Sequence, residues 1–191
     1  MNRLTQIATP FVAAVFLLAA KGTVFADQNI ERFFGSYVGS GSAENFAKNE
    51  KEVRDLDVTI EEFKDDGFTL KWITVVRGED GARTGNDVRR REVEESFIPV
   101  EDKDNVFILA PEGGLFQKSE LPNPLRGDPV RWASIDGNAM TVYSLAISNN
   151  GGAEIQVYRR ALTEKGMDIT FQRLQDEQVV VRMKGTLVRT E

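Results

Sequence analysis

Gln156, Tyr158 and Arg160 alternate with Ile155, Val157 and Arg159 along the run Ala153 to Leu162. On a strand, alternate residues share a face. Two polar groups then flank one aromatic ring, the mix of wall and placed polar group that a small-molecule cavity uses. An ordinary outer sheet face has the same composition, so both readings stand for Tyr158 and Arg160. Arg131 and Trp132 are neighbours and must face opposite ways, one of them inward. Trp132 reads as a core residue rather than a ligand platform, since large aromatics dominate burial. Tyr143 shares a face with Thr141, Leu145 and Ile147. Arg131, Trp132, Tyr143, Tyr158 and Arg160 form the candidate binding set. The basic run Arg89-Arg90-Arg91 could send one guanidinium into a cavity to hold a carboxylate bidentately. Its neighbours Glu92, Glu94 and Glu95 favour the alternative, a charge-balanced exposed face.

The chain contains no histidine and no cysteine. Serine-histidine and cysteine-histidine nucleophiles are therefore excluded. So are ordinary zinc, copper and histidine-ligated haem sites. No metal site and no cofactor are expected. Carboxylates are plentiful around 61–66, 92–95 and 101–104, but a two-carboxylate hydrolase needs a defined separation across a cleft. Their distribution suits solvated strand faces better. Asp102, Asp104 and Asn105 resemble a fragment of a calcium loop without its glycine and distal glutamate.

These candidates need a scaffold, and the patterning supplies one. Residues 1–26 carry Arg3, the apolar run FVAAVFLLAA and the small-residue site Val24-Phe25-Ala26. That is the layout of a secretory signal peptide cleaved after Ala26. The expected domains are this signal and one β-barrel domain over 27–191. Export to the periplasm or beyond follows, with no membrane insertion after cleavage. The whole chain has a net charge of −6, and residues 1–26 hold two bases, Arg3 and Lys21, and no acid. The acidic balance disfavours nucleic acid as a partner.

From residue 56 onward, apolar-polar alternation is punctuated by turn residues. Leu56, Val58 and Ile60 lead through Asp65-Asp66-Gly67 to Phe68, Leu70 and Trp72, a hairpin signature. Further runs follow, with turns at Asp136-Gly137-Asn138, 149–152, 163–166 and 175–177. A meander of this length leaves two exposed edges unless it closes. The expected fold is all-β, an up-and-down antiparallel barrel of about 8–10 strands. Ala43 to Val53 is the one helix candidate, a possible barrel cap. The proline-rich stretch 111–129 shows no period and reads as a functional loop or insertion.

At Gly35-Ser36-Tyr37 the chain resembles the start of the calycin barrels, the group that holds lipocalins, avidins and fatty-acid-binding proteins. Lipocalins open their first strand with Gly-x-Trp, and Tyr37 stands in the tryptophan position. The resemblance implies that the aromatic packs across the closed end and meets an arginine from a late strand. Arg182 and Arg189 are available for that role. It also implies an internal cavity for a small, mostly apolar ligand.

Three functions are open on this reading. The first is an exported lipocalin-like protein binding a small apolar or amphipathic ligand. The second is an envelope interaction module that binds a protein partner through 111–129, with Leu115, Phe116, Leu121 and Leu125 as contacts. The third is a barrel enzyme of isomerase or cyclase type using Tyr, Glu or Arg as acid or base; no motif singles out a set.

Overall fold

The computed structural model describes residues 29–64, 66–77, 89–111, 122–148 and 150–190. The signal-peptide expectation for 1–26 lies outside the described residues, as does 112–121 of the proline-rich stretch. Ten strands are described: β1 (Gly35–Asn45), β2 (Glu50–Phe63), β3 (Gly67–Arg77), β4 (Arg89–Val100), β5 (Lys103–Leu109), β6 (Val130–Asp136), β7 (Ala139–Ile147), β8 (Ala153–Leu162), β9 (Gly166–Gln175) and β10 (Gln178–Thr190). Each pairs antiparallel with the next in sequence, and β1 pairs with β10, closing an up-and-down barrel. This is the expected fold class. Closure leaves no strand with a free edge.

The turn chemistry follows the residues. Asn49, Asp66, Asp102 and Asp176 take positive φ values of 53°, 61°, 62° and 48°. Asn and Asp tolerate that region better than other side chains. One expectation fails here. Ala43 to Val53 forms no helix: it ends β1, turns through 46–49 and begins β2. Asn45 accepts a hydrogen bond from the Lys48 amide at 3.2 Å, pinning the turn. Ala43 pairs with both Met183 and Glu52. A short helix gains little from propensity alone, and two ladders satisfy the same backbone groups.

The seam between β1 and β10 depends on small residues. A Cβ on Gly39 would lie 2.1 Å from the Thr186 carbonyl oxygen, and one on Gly41 2.5 Å from that of Lys184. The two backbones approach too closely for any side chain.

The barrel has two unlike halves. At the end where β1 begins, the 3-10 turn Ile30–Phe33 folds beneath the barrel and buries Ile30 and Phe33. Above them pack Tyr37, Phe68, Phe97, Phe107, Met140 and Leu187, all buried. Phe68 stacks on Phe97 at 5.0 Å and meets Phe107 edge-on at 5.2 Å. The buried Tyr37 hydroxyl donates to the Phe33 carbonyl at 2.9 Å, tying plug to wall. Toward the end bearing the 46–49 turn, polar and charged side chains join the apolar lining and a cavity opens.

Candidate functional site

Strand alternation decides what lines that cavity. β8 sends Gln156, Tyr158 and Arg160 inward, β3 sends Trp72 and Thr74, and β9 sends Ile169, Phe171 and Arg173. β2 contributes Glu52, Arg54 and Leu56. The cavity, open to solvent, holds about 510 Å³, within the range typical of ligand sites. A second concavity of about 430 Å³ lies outside the barrel, where Asp57, Glu61, Lys71 and Glu94 project from β2 to β4. There Lys71 bridges Glu92 and Glu94 at 3.1 and 3.7 Å on an exposed surface. That trough is a solvated charge ladder with little apolar wall, so the interior cavity is the better candidate.

An aromatic group forms one wall of the interior. Tyr158 stacks on Phe171 at 4.4 Å and lies 6.0 Å from Trp72. The Tyr158 hydroxyl donates to Gln156 Oε1 at 2.8 Å, and Gln156 Nε2 donates to Glu154 Oε1 at 2.6 Å. Arg160 is only 2% exposed. Its guanidinium carbon sits 5.8 Å from the Trp72 ring centre and 5.9 Å from that of Tyr158, within cation–π reach. Its Nε and Nη1 are buried without a hydrogen-bond partner.

The charge balance is uneven. Glu52 is shared by Arg54 at 2.8 Å and Arg89 at 2.7 Å. Glu95 is taken by Arg131. Arg91, Arg160 and Arg173 have no ion pair among the described residues. Burial pushes the Tyr158 phenol up, against the pull of Arg131, Arg160, Arg91 and Arg54. Burial pushes the Arg160 guanidinium down to about 10, with Tyr158 opposing; it keeps its charge at neutral pH.

No family model and no curated protein matches this chain. Among solved structures it is similar to the S-type phycobiliprotein lyase CPES from Guillardia theta. The identity is 11% and the TM-score 0.39, over 84% of this chain and 90% of that one. So loose a likeness says nothing of ligand or activity.

Of the candidate binding set, Tyr158 and Arg160 lie in the cavity wall. Arg131 lies beside them, close enough to act on the Tyr158 phenol. Trp132 and Tyr143 do not join them. They stack on each other at 5.0 Å across the outer faces of β6 and β7. With Arg131 inward, alternation forces Trp132 outward. The expectation that Trp132 belongs to the core is corrected for the same reason.

Of the structural candidates, Gly35 takes φ 137° at the start of β1. Arg189 lies opposite Tyr37 in the β1–β10 register, its guanidinium 5.8 Å from the ring and donating to the Phe34 carbonyl. Arg182 sits at the other end of the barrel, 5.9 Å from the Phe46 ring, and cannot share that role. Within 111–129, Leu125 is 82% exposed, while Leu115, Phe116 and Leu121 lie outside the described residues.

Trp72, Phe171 and Arg173 were not singled out from sequence. Ile169, Phe171 and Arg173 repeat on β9 the aromatic-then-cation alternation of Tyr158 and Arg160 on β8. Two such strands side by side are a stronger sign of a cavity wall than either alone.

The buried tyrosines give a pH expectation. Above about pH 10 an unfolded chain loses its tyrosine protons, whereas Tyr158 and Tyr37 in the fold, both shifted upward by burial, keep theirs. The native state then binds more protons, so stability falls as pH rises through that window. Arg160, shifted downward, works in the opposite sense there. Tyr158→Phe removes one contribution. Its urea midpoint should fall less than wild type between about pH 9 and about pH 11; equal falls would contradict this.

Proposed function

We propose that the protein binds a small amphipathic molecule in the open half of the barrel. The observation that carries this reading is the cavity of about 510 Å³ walled by Trp72, Tyr158 and Phe171 and edged by polar groups. Apolar walls with a few converging polar side chains are the usual makeup of a small-molecule site. The closed antiparallel barrel and the Gly35-Ser36-Tyr37 start support a calycin-like binding scaffold. Export belongs to the same proposal and rests on residues 1–26; recovery of a mature chain beginning at Asp27 outside the cytoplasm tests it. The reading as an interaction module ranks second, because it leaves the aromatic and cationic lining of the cavity without a use.

Occupancy can be read at one fluorophore. The chain has two tryptophans, so Trp132→Phe leaves Trp72 alone, in the cavity wall. Titration with the neutral dye N-phenyl-1-naphthylamine should quench Trp72 saturably. Thr74→Phe, which narrows the cavity, should weaken that quenching at least about tenfold, the loss expected when an aromatic body no longer fits. Native mass spectrometry of protein from its own host should show a bound mass that is lost on denaturation. No quenching by any small probe and no bound mass would overturn the proposal.

A further inference from the structure

We propose that the ligand is an organic anion with a flat apolar body, and that Arg160 takes its anionic group. The proposal rests on the binding reading above and adds the ligand class and the residue that reads it.

Arg160 is the least expected side chain in the interior. A guanidinium removed from water needs a partner, because an uncompensated buried charge is among the costliest features a fold can keep. Here Nε and Nη1 have no hydrogen-bond partner. No carboxylate among the described residues reaches it: Glu52 pairs with Arg54 and Arg89, Glu50 is exposed, and Glu95 pairs with Arg131 through Oε1, while its Oε2, also buried without a partner, makes no ion pair with Arg160. The rings of Trp72 and Tyr158 face the cation and soften its burial. Neither gives Arg160 a hydrogen bond: the indole has no acceptor oxygen, and the Tyr158 hydroxyl is turned to Gln156. What is missing is an anion, and the open space beside Arg160 is the cavity itself.

The surroundings fix the rest of the ligand. Arg160 follows Tyr158 along β8 and so lies deeper, toward the plugged end. An anionic head seated on it leaves the molecule's body level with the Tyr158–Phe171 stack and Trp72. Flat apolar groups pack best on such a wall. Nearer the mouth, Arg91 and Arg173 also line the cavity without ion-pair partners among the described residues. The chain as a whole is acidic, with net charge −6, and would repel anions at long range. Positive charge is gathered inside, where it selects for a ligand that enters.

The test uses two dyes with the same N-phenylnaphthylamine body. 1-Anilinonaphthalene-8-sulfonate carries an anionic group; N-phenyl-1-naphthylamine does not. In the Trp132→Phe background, quenching of Trp72 should show the sulfonate binding about tenfold to a hundredfold more tightly, the range for a charged hydrogen bond. Adding Arg160→Met should abolish that preference and leave the neutral dye within about twofold. Without ligand, Arg160→Met should melt at higher temperature than its parent, because a well-packed apolar side chain replaces an unpaired cation. Equal binding of both dyes overturns the anion proposal and leaves the binding reading intact. Binding of neither dye overturns the binding reading itself. An Arg160→Met protein that melts lower and keeps its preference for the sulfonate assigns Arg160 a structural role and overturns the proposal.

Discussion

Gly39→Val is expected to prevent the barrel from closing. Gly39 lies mid-way along β1, paired to Leu187 of β10 on one side and Leu56 of β2 on the other. Even a single Cβ there would stand 2.1 Å from the Thr186 carbonyl oxygen and 2.8 Å from the Leu187 Cα. Both are backbone atoms held by a ten-residue ladder, so they cannot swing aside as a flexible side chain would. Relief requires β1 and β10 to separate, which gives up the pairing that makes the sheet a barrel and exposes two edges. A cost above about 4 kcal/mol is expected, against a total stability of about 5–15 kcal/mol for a natural domain. The measurement is thermal unfolding followed by far-ultraviolet circular dichroism, with Ser40→Ala on the adjacent outward position as control. Ser40→Ala should melt near wild type, and Gly39→Val should show no cooperative transition. A Gly39→Val protein melting within a few degrees of wild type would refute the close-approach account.

The second large effect is expected at the Glu95–Arg131 pair. Its side chains are 12% and 16% exposed, so both charges are largely out of water. Glu95→Leu leaves the Arg131 guanidinium without its carboxylate, in a region that already holds Arg91 and Arg160 and where burial pushes Arg131 down. Removing one partner of a buried pair costs about 3–5 kcal/mol; the residual exposure places this one near about 3 kcal/mol. The double variant Glu95→Leu with Arg131→Met removes the stranded charge as well. It should recover to within about 1 kcal/mol of wild type, since apolar replacements of a buried pair are often neutral. Urea unfolding of the two single variants and the double variant closes the cycle. A double variant no more stable than Glu95→Leu alone would show that lost packing, not the unpaired charge, sets the cost.

Both expectations concern features that differ in how far they could be read in advance. Gly39 and Gly41 follow Gly35-Ser36-Tyr37 within the first strand, where glycine permits close backbone approach, and the structure gives that approach a distance. The Glu95–Arg131 contact could not be read, because it joins β4 and β6, which are not neighbours in the strand order. Sequence reading set Arg89-Arg90-Arg91 against Glu92, Glu94 and Glu95 as a local balance. In the fold, Glu92 does pair locally, with Arg90 at 2.7 Å. Glu95 turns inward instead, and Arg91 lines the cavity unpaired.

What the sequence by itself determined is the all-β meander, the turns from Asp65-Asp66-Gly67 onward that carry Gly, Asn or Asp, and the up-and-down strand order; the 46–49 turn, read as part of a helix, escaped it. Turn residues act locally, and an alternating run between two turns has few alternatives to antiparallel pairing. It also determined that each strand has two faces. What only the tertiary structure decided is which face looks inward. In the plugged half the usual rule holds, and Phe68, Phe97 and Phe107 are inside. On β6 to β8 of the open half the rule breaks down: Arg131, Ser144, Tyr158 and Arg160 turn toward the interior while Trp132, Tyr143 and Leu145 lie on the opposite face, even though Leu56, Ile169 and Phe171 of neighbouring strands still point inward. Alternation is blind to that choice, because a one-residue slip exchanges the two faces without changing the pattern. Closure through β1 and β10 fixes the register of the whole barrel at once, and the polar face is tolerated inside because that half encloses a cavity rather than a packed core.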